Sequence, residues 1–180
     1  MSVFDWDDHC DTNDAMPFMY RLKAINPAFK ATLFTIPWLC SQEFIDSHPD
    51  WVELVPHGWT HPSPYECLRW TREDMEGYIE WPQVLALGVK GFKAPGWQIN
   101  VDIYAVLLEN GWWVADQHLE DGRRPADLPV YLYEDGPNWH GHVQNVCGNG
   151  LAETWDTVVE KVRNTSEFLF ASEAVKVPVA

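Results

Sequence analysis

Apolar and polar positions along the chain switch repeatedly between a strand-like and a helix-like period. SVFDWDD (2–8) is a β-like run that ends in acids, and MPFMYRLKAIN (16–26) has helical spacing. KATLFTIP (30–37) reads as a strand closed by proline, and SQEFIDSH (41–48) opens on an N-cap serine followed by acids. VELVP (52–56) is a short strand. TREDMEGYIEWPQVL (71–85) starts with an N-cap threonine and acids in its first turn, which predicts a helix disturbed near Pro82. VKGFKAP (89–95) reads as a strand. In NVDIYAVLLENG (100–111), Asn100 can cap a helix whose Val101, Tyr104, Leu107 and Leu108 share a face and which Gly111 ends. WWVAD (112–116), PVYLY (129–133) and HVQNV (142–146) read as strands, ETWDTVVEKVRN (153–164) as an amphipathic helix, and EFLF (167–170) as a last strand.

This alternation predicts an α/β fold, a mostly parallel sheet with helices outside it, and seven or eight strands permit an open sheet or a barrel. In such folds the carboxyl ends of the strands share one face, where sites are built. Asp7 and Asp8 end the first strand, His57 and His61 follow the third, and KAPGW follows the next. Asp116 ends another, and His140 and His142 flank a later one. Five separate segments would thus converge on one cleft, which points to an enzyme. At 180 residues, one domain spanning 1–180 is expected, and 46% hydrophobic with 22% charged residues is ordinary for a globular protein.

The net charge of −15 and the lack of any basic run oppose binding to nucleic acid or anionic membrane surfaces. No apolar run approaches the ~18–20 residues of a membrane helix. The start, MSVFDWDDHC, lacks a basic region and apolar stretch of a signal peptide, so a cytoplasmic location is expected. Eleven tryptophans are a notable excess; most are expected in the core or under loops, and any that line a groove would suit carbohydrate, because flat indole faces stack well on sugar rings. Cys10, Cys40, Cys67 and Cys147 form no CxxC pair and are expected as free, packed thiols. His48 and His118 have no partner motif.

HGWTH (57–61) places two imidazoles four positions apart. On a helix these would share a face. Pro56, Gly58, Pro62 and Pro64 argue against a long helix, but a tight turn at a strand end converges the rings equally well. Such a pair also arises by chance in a chain with seven histidines. A carboxylate changes its weight: two imidazoles and one carboxylate suit zinc or a similar ion, with positions left open for water and substrate. FDWDDH supplies three acids within four residues. Of two adjacent acids, one can bind metal while its neighbour serves as general base.

Taken together these segments resemble the polysaccharide deacetylases of carbohydrate esterase family 4, the NodB-homology group. WDD (6–8) is similar to the first motif of that family, HGWTH to its paired histidines, FKAPGW (92–97) to its basic-x-Pro-x-Gly motif, and WHGHVQN (139–145) to its last, histidine-bearing motif. The resemblance runs across residues 3–145. It implies a distorted, incomplete (β/α) barrel of about seven parallel strands. It implies Asp8, His57 and His61 as ligands of one divalent ion, zinc first and cobalt or nickel next, and Asp7 as catalytic base. Lys93 stands where the family has an arginine paired with that base. His142, or else His140, is the implied general acid, and Pro95, Gly96, Trp97, Asp116 and His140 the implied substrate-binding residues. The implied reaction is removal of acetyl groups from an N- or O-acetylated sugar, or hydrolysis of a small non-sugar amide. The chain departs from the family pattern at Gly58, where Ser or Thr is usual, at Lys93, and at the fourth motif, for which WWVADQH offers Asp116 behind Trp112 and Trp113. A metal-free glycosidase with paired carboxylates and a non-catalytic carbohydrate binder remain open from the residues alone.

Overall fold

A computed structural model of the chain describes residues 1–117, 122–133, 137–144 and 152–176. His118 and Cys147 lie outside the described residues. Among the described residues, every strand ladder is parallel. One sheet runs β3 (Val52–Pro56), β2 (Ala31–Thr35), β1 (Ser2–His9), β7 (Trp139–His142), with β8 (Phe168–Leu169) pairing the first residues of β1. The second runs β4 (Gly91–Lys93), β5 (Trp113–Asp116), β6 (Val130–Leu132). Among the described residues, one parallel bridge, His57 with Lys93, joins the two sheets beside β3 and β4. The strands therefore curl into a barrel that, among the described residues, stays incomplete between β6 and β7. The described residues hold eight strands where about seven were expected.

All eight residues of β1 are buried, as befits a central strand covered on both faces. Outside β1–β3 pack α1 (Met16–Ile25), α2 (Gln42–Asp46) and α6 (Ala152–Asn164), with Met19, Leu22, Leu33, Ile45 and Val158 in one core. Outside β4–β6 pack α3 (Arg72–Ile79), α4 (Pro82–Ala86) and α5 (Val101–Glu109), around Tyr78, Phe92, Ile103 and Leu107. A smaller third core, including Val3, Phe34, Val55, Ala115 and Tyr131, draws on both sheets and fills the barrel.

The expected caps form. Ser41 accepts from the Phe44 amide, Thr71 and Asp74 make a reciprocal capping box, and Asn100 accepts from Asp102 and Ile103. Pro82 divides the 71–85 helix into α3 and α4, because it opens a new helix rather than continuing the old one. One strand lies elsewhere than expected. The apolar-branched run HVQNV suggested 142–146, but β7 is Trp139–His142 and Val143 is already helical. The ladder to β1, with Asp5 opposite His140 and Asp7 opposite His142, decides the register. His140 and His142 are therefore on the strand, not flanking it, and share one face.

Candidate metal centre

Consecutive strand residues point to opposite faces, so adjacent Asp7 and Asp8 should not reach one site. The ladder between β1 and β2 resolves this: its register shifts between Trp6 and His9, and Asp8 sits in the left-handed region with φ 70°. The irregularity turns the Asp8 side chain toward the cleft beside that of Asp7. The Asn13 side-chain amide donates to the Asp8 carbonyl at 2.6 Å and holds this backbone in place. A non-glycine residue in that region costs of order 1–3 kcal/mol, a strain that accompanies functional geometry.

Two groups of three ligand-type side chains meet here, each with its ligand atoms within 4.8 Å of one another. The first is Asp8, His57 and His61. His61 Nε2 lies 3.2 Å and His57 Nε2 3.6 Å from Asp8 Oδ1. That oxygen is buried and accepts no hydrogen bond. Its partner Oδ2 accepts from the Gln144 amide at 2.9 Å. His57 Nδ1 lies 3.1 Å from the Lys93 carbonyl, which can only accept. Nδ1 therefore carries a proton, and Nε2 is the nitrogen that faces Asp8. Burial alone would raise the Asp8 carboxyl, but His57, Gln144 and His61 together hold it well below the usual carboxylate range. An ionised, buried, orphaned oxygen between two imidazole nitrogens is what a divalent cation would satisfy, and this O,N,N set fits zinc-like ions.

One residue that the sequence did not single out, Glu66, holds this arrangement. The Glu66 carboxylate accepts from the backbone amides of Trp59 and Thr60 at 3.0 Å and of His61 at 3.3 Å, and so clasps the HGWTH loop. The departure at Gly58 has a steric cause. Its φ is 62°, and a β-carbon there would lie 2.4 Å from Glu66 Oε2 and 2.6 Å from Pro95 Cγ. A serine or threonine does not fit, so Pro95 acts here as a packing partner of the loop.

The second group is Asp7, His140 and His142. Lys93 Nζ donates to Asp7 Oδ1 at 2.5 Å. The lysine is fully buried, 3.9 Å over the Trp97 ring and 4.6 Å over that of Phe34. Burial opposes ionisation of Asp7, yet the charges of Lys93, His57 and His140 keep its carboxyl below the ordinary value. The other oxygen, Oδ2, lies 3.7 Å from His57 Nε2 and 3.9 Å from Nε2 of both His140 and His142. His140 Nδ1 is bonded to Asp5 Oδ1 at 2.5 Å, and Asp5 Oδ2 accepts from the Tyr131 hydroxyl at 2.6 Å. Asp5 was legible as the residue two before Asp7 on a strand, hence on the same face. His142 is half-exposed, and burial of the rest lowers its pKa.

Trp97 stacks on Tyr133 at 5.0 Å and meets His140 edge-on at 5.7 Å, so it belongs to the cleft, and Gly96 is exposed beside it. Trp38 and Trp81 form an aromatic cluster with Trp59 of the HGWTH loop. Asp116 is not gathered in. Its carboxylate is taken by Arg124, by the Tyr104 hydroxyl at 3.0 Å and by the Gln117 amide, a buried network at the end of β5. His48 is not isolated: its Nε2 lies 2.8 Å from that of buried His9. Cys10, Cys40 and Cys67 are buried free thiols.

No family model and no curated relative matches the sequence. Solved structures do. A family 4 carbohydrate esterase from Streptomyces lividans, in complex with acetate, superimposes with a TM-score of 0.63 at 13% identity, over 99% of this chain and 97% of that one. The Xyl-CE4 domain of a multidomain xylanase from the hindgut metagenome of Trinervitermes trinervoides gives 0.63 at 16%, over 96% and 88%. A CE4 family pseudoenzyme from Bacillus anthracis gives 0.62 at 14%, over 97% and 64%. The incomplete barrel built around Asp7, Asp8, His57 and His61 is thus the fold of the family 4 carbohydrate esterases.

Proposed function

We propose that the protein is a metal-dependent hydrolase that removes acetyl groups from an N- or O-acetylated sugar. The observation that carries this reading is the buried, unpartnered Asp8 Oδ1 between the Nε2 atoms of His57 and His61. Those three side chains would hold one divalent ion, zinc before cobalt or nickel. Such an ion supplies Lewis acidity, polarising an acyl carbonyl and acidifying water near it. The rest of the chemistry falls to the chain. Lys93 occupies Oδ1 of Asp7 and keeps the carboxylate ionised, which leaves Oδ2 to take a proton from the attacking water. His140 is the better placed general acid, because Asp5 and Tyr131 fix its ring while Nε2 faces the same space as Asp7 Oδ2. It would protonate the leaving amine or alcohol. His142 faces the same space without such an anchor. Trp97, laid over Lys93 and against His140, would shield this proton transfer from bulk water and offer a flat surface to a sugar.

Support comes also from the neighbours named for carbohydrate esterase activity. A paired-carboxylate glycosidase fits less well. It needs one carboxyl kept protonated as the acid, whereas Asp7 and Asp8 are both pushed toward the ionised form. The test is acetate release from acetylated chitooligosaccharides and simple acetyl esters, using metal-stripped protein with zinc, cobalt or nickel restored. No release from any of them, with one ion bound, would reduce the reading to an amide hydrolase of another substrate or a non-catalytic relative.

A further inference from the structure

We propose that Asp7, His140 and His142 form a second divalent-cation site, and that its occupation switches the enzyme off. The inference rests on the deacetylase reading for its consequence but not for its geometry. Residues 140 and 142 are two apart on β7, so their rings lie on one face, and Asp7 is register-paired with His142 on the neighbouring strand. The three ligand atoms lie within 4.8 Å of one another, with Asp7 Oδ2 3.9 Å from each Nε2. Donors around a tetrahedral zinc, with bonds of ~2.0–2.1 Å, stand about 3.4 Å apart. Each Asp7–imidazole distance exceeds this by about half an ångström, so the Asp7 carboxylate must turn slightly toward His140 while the half-exposed His142 ring swings in to meet both.

The support behind the ligands is of the kind found behind metal-bound imidazoles. His140 gives its other nitrogen to Asp5, and Asp5 is held in turn by Tyr131. Lys93 occupies only Oδ1 of Asp7, so Oδ2 keeps its lone pairs toward the two rings. His57 Nε2, 3.7 Å from Asp7 Oδ2 and 3.6 Å from Asp8 Oδ1, is the wall between the two groups. An imidazole-rich set selects zinc, copper or nickel over magnesium or calcium. Lys93 and an ion already at Asp8 both repel a second cation, so the second site is the weaker of the two. When filled, it takes the base and the acid together.

The experiment titrates the metal-stripped full chain with zinc by calorimetry and with cobalt by visible absorption, alongside acetate release at each ratio. Two ions per chain are expected, the second bound at least about tenfold more weakly. Activity should peak near one equivalent and fall as the second binds. His142→Gln should still take the first ion and lose the second; its exposure makes the variant safe for folding. One ion per chain at saturating zinc, or two in His142→Gln, overturns the second site. Activity that rises through the second equivalent overturns the inhibitory role. One ion with acetate released sinks this inference and spares the deacetylase reading. Two ions with no acetate at any ratio does the reverse for the site.

Discussion

Two buried carboxylates sit at opposite ends of the barrel and behave oppositely. Asp8, at the carboxyl end of β1, is 6% exposed; Glu53, near the start of β3, is 7% exposed. Burial penalises ionisation in both, yet the Asp8 carboxyl is lowered and the Glu53 carboxyl raised. The difference lies in their partners. Glu53 accepts from the hydroxyls of Thr32 and Ser172 and the Ser172 amide, neutral donors that satisfy it but do not balance a charge. Asp8 faces two imidazoles and leaves one oxygen unpaired. The lower end of the barrel satisfies its acid with neutral donors; the upper end leaves an oxygen that a divalent cation would satisfy. Equal burial with unequal satisfaction makes Asp8, and not Glu53, the candidate for function.

Removing the charge at each end is the sharpest way to break this comparison. Asp8→Ala should abolish ion binding by calorimetry and with it acetate release, because two imidazoles alone hold a divalent ion poorly. If Asp8→Ala binds its first ion as tightly as the parent, the upper site is wrongly drawn. Asp7→Asn comes next. It keeps the shape and the three ligands but cannot take a proton, so kcat should fall about 10²–10⁴-fold while the first ion stays bound. Loss of that ion in Asp7→Asn would make Asp7 a ligand and not a base. Glu66→Gln is milder. It weakens the clasp on the HGWTH amides without touching a ligand, and should cost about 10–100-fold in affinity for the first ion.

Much of this contrast was legible in the sequence. Strand–helix alternation places acids and imidazoles at strand ends, and the family resemblance named the residues that the structure gathers: Asp7, Asp8, His57, His61, Lys93, Trp97, His140 and His142. What stayed hidden depended on register and on distant side chains. Adjacent acids on a strand cannot share a face unless the ladder slips, and nothing in FDWDDH announces the irregularity at Asp8. Glu66 works through backbone amides, which carry no residue signature. The start of β7 was set by its ladder to β1 against the preference of HVQNV, and Asp116 looked like a cleft residue because Arg124 and Tyr104 come from elsewhere in the chain.

Glu53→Gln should have the smallest effect, and its direction tests the lower half of the comparison. Burial raises the Glu53 carboxyl above its ordinary value of 4.5, with Ser172 and Thr32 only partly offsetting it. The native chain therefore holds this proton at pH values where the unfolded chain has released it. Stability from this group is complete below pH 4.5 and is lost as pH rises through the native pKa. Glutamine has no proton to lose. The melting temperature of Glu53→Gln relative to the parent should thus climb between pH 4 and pH 8, by about a few degrees, while acetate release at one equivalent of zinc is unchanged. A gap between the two melting curves that is flat in pH would show that Glu53 ionises as easily as an exposed acid. The lower end of the barrel would then be no less charged than the upper, and the orphaned oxygen of Asp8, not its ionisation, would be all that sets the two ends apart.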